Sequence, residues 1–467
     1  MEMLSCELNR NSSVPLYEQL YLYIKKEITQ GRLVYGTKLP SKRKLANFLE
    51  ISQNTVETSY DQLTAEGYVE VIARKGYYVQ TYEDLEYIAS TDQSVKVDQQ
   101  NYDDIRYNFH PSHIDTVNFP FEKWRKYFKN TMDRANHKLL LLGDNQGEYD
   151  FRCEIAHYLY HSRGVRCTPD QIIIGAGVET LLQQLVLLWG EKTVYGVEDP
   201  GYHLMLQILK NYPNKVFPLD VDEEGVDVEE ITNSNIDVVY ATPSHHFPYG
   251  TVLSINRRQK LLNWANDDEN RFIIEDDYDS EFRYNGKTIP SLQSMDFGEK
   301  VIYLGAFSKS LMPSVRISYM VLPTTLMDIY RNKLSFYHST VSRIDQKVLT
   351  EFMKQGDFEK HLNRMRKVYR RKLDRVLGLI KPYEDELSII GERSGLHIVL
   401  VVKNGMDETT LVQKALNARL KIYPLSGYSI EVNHELPPRI LLGFAGIPEE
   451  ELEIAIMTLL SAWGYKQ

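Results

Sequence analysis

A rhythm in the sequence constrains the fold more than any single motif. Beyond about residue 108, short β-branched runs at 171–174, 193–197, 237–241, 272–275 and 301–304 alternate with longer stretches of helical character. Parallel strands cannot be joined by a tight turn, so a helix is their natural crossover, and strands covered on both faces read as continuous apolar runs. The pattern predicts an α/β domain built on a largely parallel sheet. From about residue 350 the rhythm gives way to long charged helices and then to strands near 395–402 and 439–444, which predicts a smaller α+β lobe.

The first 80 residues follow a different pattern. Leu16, Leu20, Ile24 and Ile28 recur at helical spacing, with Gly31 where the helix would end. Ser41 is placed to cap a second helix at 42–49, and Ser52 a third at 53–65 that ends at Gly67. Two short helices joined by a tight turn make a helix-turn-helix, and strands at 68–72 and 77–80 around Ala73-Arg74-Lys75-Gly76 make a two-stranded wing. Residues 81–107 are rich in Asp, Glu, Gln, Ser and Asn without apolar periodicity, as in a linker. Three segments are therefore expected: a winged helix-turn-helix at 1–80, a linker at 81–107 and the α/β body at 108–467.

With 467 residues, 43% of them hydrophobic, more than one core is expected. Of 54 Lys+Arg and 64 Asp+Glu, ten and nine lie in the first 80 residues, so a near-neutral module is attached to an acidic body. The longest apolar runs, such as 181–189, fall short of a membrane span, and the start of the chain lacks a signal-peptide pattern. A cytoplasmic protein without a membrane partner is expected. Cys6, Cys153 and Cys167 are odd in number and lack CxxC spacing, which argues against a disulfide framework or a structural metal site.

A helix that enters the major groove needs small polar residues at its N-terminal end and an apolar face behind them. Ser52, Gln53, Asn54 and Thr55, followed by Val56, Tyr60 and Leu63, meet both conditions. Ser41, Lys42 and Arg43 open the preceding helix, where side chains and free N–H groups can grip phosphate. The wing adds Arg74 and Lys75 beside Tyr77. Singly, each is an ordinary cap or solvated charge; in this order they point to double-stranded promoter DNA.

The body carries the groups that pyridoxal 5'-phosphate requires: an amine, an acid, a hydroxyl donor, an aromatic face and a phosphate cup. Lys309, in Gly305-Ala306-Phe307-Ser308-Lys309-Ser310, follows a strand and would bind the aldehyde at the sheet's C-terminal edge. Asp276 would pair with the ring nitrogen, with Asp277 as the alternative, and Tyr278 would donate to the ring oxygen. Arg316, aided by Ser308, and the helix-opening turn Gly175-Ala176-Gly177-Val178 would hold the phosphate. Tyr202 would stack on the ring.

Residues 40–76, with Leu39-Pro40-Ser41-Lys42-Arg43-Lys44-Leu45-Ala46 and Ala65-Glu66-Gly67-Tyr68, resemble the GntR family of winged-helix regulators. The part from about residue 108 onward resembles fold-type I aminotransferases, and together they resemble the MocR/GabR class of transcriptional regulators. Residues 273–282 (IIEDDYDSEF) and 307–322 (FSKSLMPSVRISYMVL) are especially specific for it. The resemblance implies a head-to-tail homodimer, each DNA module resting on the partner's cofactor domain. It also implies a small-molecule amino effector that changes how the paired modules meet DNA, in a sensor with no catalytic residues of its own and at most partial transamination. The alternative is a working aminotransferase with an appended regulatory module.

Departures from the pattern accompany the resemblance. Glu50 stands where the GntR turn commonly has Gly, and Gln53 where an Arg commonly follows the Ser. Thr242, a further candidate cofactor contact, precedes the proline of the substrate-side loop, where the aminotransferase pattern has an Asn. Ala306 stands where a phosphate-binding hydroxyl is common. Arg439 sits two residues before Leu441, the expected position of a carboxylate-binding Arg, so an α-amino acid or γ-aminobutyrate lacks its expected anchor.

Overall fold

The computed structural model describes residues 6, 8–10, 12–80, 104–284, 286, 288–430 and 436–465. They fall into two compact units divided between residues 99 and 100. Most of the expected linker lies outside the described residues.

The smaller unit contains α1 (Leu16–Thr29), α2 (Lys42–Leu49) and α3 (Gln53–Ala65), followed by β1 (Val69–Ile72) and β2 (Gly76–Val79). Ser41 accepts from the backbone N–H of Lys44 at 3.3 Å and Ser52 from that of Thr55 at 3.1 Å, which caps α2 and α3 as their sequence predicts. Leu20, Ile24 and Ile28 meet Leu45, Val56, Tyr60, Leu63, Val69 and Val79 in one core. The Tyr60 hydroxyl donates to the carbonyl of Pro40 at 2.9 Å and ties α3 to the start of α2. Glu50 adopts φ 55°, the left-handed conformation that glycine favours, and Arg10 donates to its carbonyl at 2.7 Å. The wing differs slightly from expectation. Ile72 pairs with Gly76, so Gly76 belongs to the strand and the loop is three residues, with Tyr68 outside β1.

The larger unit opens with β3 (Tyr107–Asn108), which pairs in parallel with residues 420–421. Tyr107, assigned to the linker from its polar surroundings, is buried, so the end of that segment belongs to the fold. Helices α4 (Phe121–Thr131) and α5 (Tyr149–Arg163) lead into the main sheet. Its strands are β4 (Ile172–Gly175), β5 (Val194–Asp199), β6 (Lys215–Asp222), β7 (Gly225–Val226), β8 (Val238–Ala241), β9 (Phe272–Asp277), β10 (Val301–Ala306) and β11 (Ser318–Val321). Their spatial order is β4-β11-β10-β9-β8-β5-β6-β7. β11 is antiparallel to both β10 and β4, and β7 to β6; the remaining pairs are parallel. Every residue of β4, β8 and β9 is buried, as strands covered on both faces require. Helix α6 (Val178–Trp189) follows β4 directly.

The predicted smaller lobe is a four-stranded antiparallel sheet of β12 (Leu387–Ile390), β13 (His397–Val402), β15 (Tyr423–Pro424) and β16 (Arg439–Gly443), in the order β12-β13-β16-β15; β14 (Leu420–Lys421) is the partner of β3. The architecture gathers the C-terminal ends of β4, β5, β8, β9 and β10 on one edge of the main sheet, where α/β folds bind ligands.

Candidate functional site

Asp276, the second-last residue of β9, is 3% exposed. Its Oδ2 accepts from the hydroxyl of Tyr240 on β8, while its Oδ1 is buried without a hydrogen-bond partner. Burial pushes the carboxyl up to about 7 although the Tyr240 bond opposes it. A buried acid with one open oxygen fits a ring N–H. The alternative acid, Asp277, is committed elsewhere: Arg163 Nε donates to its Oδ2 at 2.6 Å and Tyr303 donates to the same oxygen. Arg163 also donates to Ser244 Oγ at 2.5 Å, so this buried pair braces the end of β9.

Lys309 lies in the turn after β10, partly buried, with its Nζ donating to the carbonyl of Pro111. Burial lowers its amine to about 8, with Asp279 pulling the other way. The segment carrying Pro111 is held by a buried ion pair between Asp115 and Lys372 at 2.8 Å and by the bond from Gly443 N to the Phe109 carbonyl at 2.9 Å. Tyr278 places its hydroxyl 3.1 Å from Nδ1 of His245, and that nitrogen is 2.6 Å from Asp279 Oδ1.

The glycine turn and Arg316 come together. Gly177 is the N-cap of α6 with φ 94°, and a Cβ there would fall 2.0 Å from Arg316 Nη2. Glycine is what allows the guanidinium to reach the turn. Arg316, itself at φ 52°, pairs with Glu179 in the first turn of α6, an acid that sequence reasoning did not place at the cup. Ala176 N donates to Thr340 Oγ1 at 2.8 Å. Gly175 ends β4, Val178 begins α6, and Ser308 is half-buried in the Lys309 turn. Tyr202 is 39% exposed; burial first and the charge of Asp276 second push its phenol up to about 12. Its ring meets Phe247 edge-on at 5.6 Å.

Thr242 departs from expectation. Its N–H and hydroxyl donate to Glu198 Oε2 at 3.0 and 2.7 Å, and its Oγ accepts from Phe247 N at 3.2 Å. The hydroxyl's one hydrogen thus goes to Glu198, whose carboxyl burial pushes up to about 8, and none is left for it to donate to a ligand. Arg439 bonds the hydroxyl of Tyr249, while Leu441 is fully buried against Phe247 and Val399. The position the resemblance reserves for a carboxylate anchor is apolar.

Sequence reasoning passed over Tyr240, Arg163, His245 and Asp279. The signal for the last two was present: a His-His pair after Ser244 and a third aspartate one residue past Tyr278. In the smaller unit, Ser41, Arg43, Ser52, Gln53 and Asn54 are exposed at the starts of α2 and α3, and Arg74 and Lys75 are exposed on the wing. Thr55 is half-buried under the Ser52 cap, and Lys42 is paired with Glu57 across the two helices. No helix among the described residues is long and apolar enough to cross a membrane.

Comparison with known proteins agrees with this division. The family model for aminotransferase class I and II matches residues 113–459, and that for bacterial regulatory proteins of the gntR family matches residues 16–79. The chain is 44% identical to the HTH-type transcriptional regulator YdeL of Bacillus subtilis, over 98% of each chain. It is 31% identical to the probable rhizopine catabolism regulatory protein MocR of Rhizobium meliloti, covering 98% of this chain and 95% of that one. It is 30% identical to the pyridoxine biosynthesis transcriptional regulator PdxR of Corynebacterium glutamicum, over 88% and 89%. Among solved structures, a kynurenine aminotransferase of Pyrococcus horikoshii superposes on 77% of this chain and 90% of its own with a TM-score of 0.68 at 24% identity.

Proposed function

The chain belongs to the MocR-type transcriptional regulators, which join a GntR-type helix-turn-helix domain to an aminotransferase class I and II domain, and we propose that it senses an amino compound through pyridoxal 5'-phosphate held on Lys309. The observation that carries the reading is the open Oδ1 of Asp276, on the sheet edge that also bears Lys309 and the Gly177–Arg316 cup. Asp276 would hold the ring nitrogen, Tyr278 the ring oxygen, Tyr202 the ring face, and Arg316 with the 175–178 turn and Ser308 the phosphate. Bound there, the cofactor would supply an aldehyde on which an incoming amine can exchange with lysine. Arg316 already meets Glu179 through Nη2, so the chain's own acid would share or compete for the guanidinium with a phosphate.

In the smaller unit, Gln53, Asn54 and Thr55 would read bases, while Ser41, Lys42, Arg43, Ser52, Arg74 and Lys75 would grip phosphate of promoter DNA. Two copies arranged head-to-tail in the cytoplasm would present paired reading helices. An effector can act only by binding two arrangements of that dimer unequally. The buried Leu441 favours sensing over turnover, because transamination needs its substrate held in register for proton transfer.

Two measurements test the reading. The purified protein is expected to show the visible absorbance of a lysine-bound cofactor, and Lys309→Ala to abolish it while leaving a folded dimer; retained colour in that variant refutes the assignment. Promoter binding in a gel-shift or anisotropy titration is expected to weaken steeply with salt and to be lost on removing residues 1–80.

A further inference from the structure

Asp279 and His245 form a buried pair in the wall of the Lys309 site that the cofactor reading leaves unused. Asp279 Oδ1 lies 2.6 Å from His245 Nδ1, with side chains 1% and 3% exposed. The same Nδ1 stands 3.1 Å from the Tyr278 hydroxyl. A carboxylate oxygen so close to a ring nitrogen needs a hydrogen between them, so the geometry selects the tautomer with hydrogen on Nδ1. In that tautomer Nδ1 has no lone pair with which to accept from Tyr278. The phenol hydrogen therefore finds no acceptor at His245 and points elsewhere. Burial first, then the charge of Asp279, hold the Tyr278 phenol well above its ordinary value, so that hydrogen remains in place.

The imidazole has little freedom to turn. A Cβ at Gly395, where φ is 80°, would fall 2.2 Å from His245 Cε1, and one at Gly250 would fall 3.0 Å from Nε2. A side chain at Gly395 would displace the ring, and one at Gly250 would press on it. The other titratable groups around the His245–Tyr278 pair are His246, the chain neighbour of His245, His397, whose ring centre is 5.9 Å from that of His245, Lys309, which feels the charge of Asp279, and the carboxyls of Asp276, Glu198 and Asp277, which act on Tyr278. Burial lowers both neighbouring imidazoles to about 3, so they stand neutral beside the pair.

We propose that His245, locked in one tautomer by Asp279, is a positioning residue that aims the hydroxyl hydrogen of Tyr278 at the phenolic oxygen of the bound cofactor ring. The inference rests on the cofactor reading. A donor aimed at that oxygen favours its ionised form and so lowers the pH at which the lysine-bound cofactor changes its absorbance band.

The test is to follow that band against pH in the full-length, cofactor-loaded protein. His245→Ala is expected to raise the midpoint by about one pH unit, since it removes the group that orients a hydrogen bond to the charged form. Tyr278→Phe should raise it at least as far, and the double variant no further than Tyr278→Phe alone. His245→Asn, which returns an N–H near the position of Nδ1, should restore most of the difference. Gly395→Ala keeps the imidazole but crowds it, and should raise the midpoint if His245→Ala does not fold. An unmoved midpoint in both His245→Ala and Gly395→Ala, or shifts that add in the double variant, overturns the inference alone. Absence of any such band in the unmodified protein overturns the cofactor reading and the inference with it.

Discussion

Ser52, Gln53 and Asn54 stand exposed at the start of α3, whereas Asp276, Asp277 and Asp279, at and just past the end of β9, are 3%, 6% and 1% exposed. The polar groups of the smaller unit already have water, and two of them do structural work as helix caps. Those of the larger unit have lost water, and each acid has been given its own partner: Tyr240 for Asp276, Arg163 for Asp277 and His245 for Asp279. A reading surface of the first kind can change its residues at little cost to the fold. A pocket of the second kind cannot, because removing one partner strands a buried charge.

The sharpest way to break this contrast is Arg163→Ala. It is expected to destabilise the larger unit by about 3–5 kcal/mol, because Asp277 would stay buried without its cation. Thermal or urea unfolding of the larger unit measures it, and a loss below about 1 kcal/mol would mean that water reaches the pair. The next effect is one of pH in the cofactor-free chain. Burial holds Glu198 up to about 8 and Glu275 and Asp276 up to about 7, so the folded chain keeps protons that the unfolded chain has released. This contribution is complete below about pH 4 and is lost as pH rises through 7 to 8. His246 and His397, which burial holds at about 3, push the opposite way below the ordinary imidazole value, so the test lies above it: urea midpoints of the larger unit should fall from pH 7 to pH 8, and a rise over that interval would show the acids ionised and well paired. The smallest expected effect is Ser52→Ala, about 1 kcal/mol and confined to the smaller unit, from loss of the α3 cap. An equal loss in the larger unit would show that the two do not respond separately.

The same contrast explains what could be read beforehand. Ser41 and Ser52 announced α2 and α3 because capping is local chemistry, settled within three residues. Runs such as 272–275 and 301–304 announced β9 and β10 because a two-sided core leaves no room for polar alternation. β6 and β11 lie outside the runs legible in the sequence: β6 alternates exposed with half-buried residues toward the sheet's rim, and β11 falls inside the 307–322 motif, whose spacing marks no separate strand. The Lys309 and Arg316 positions were legible from their motif, but the choice between Asp276 and Asp277 depends on Arg163, more than 100 residues away. The tie between Thr242 and Glu198 is hidden for a related reason, since Glu198 lies on another strand. Pairings across the sheet leave no mark on local spacing.

Lys309 and Arg316 share one connection, the eleven residues between Ala306 and Ser318, which pair across β10 and β11. The closing bond from Phe307 N to the Ile317 carbonyl, 3.0 Å, fastens both ends at once. If aldehyde and phosphate are gripped by the same clasp, unfastening it frees both ends of the molecule together. Escape of the cofactor should then follow a single exponential whose rate tracks amide exchange in that hairpin, and tightening either grip alone should slow departure less than splinting the hairpin itself.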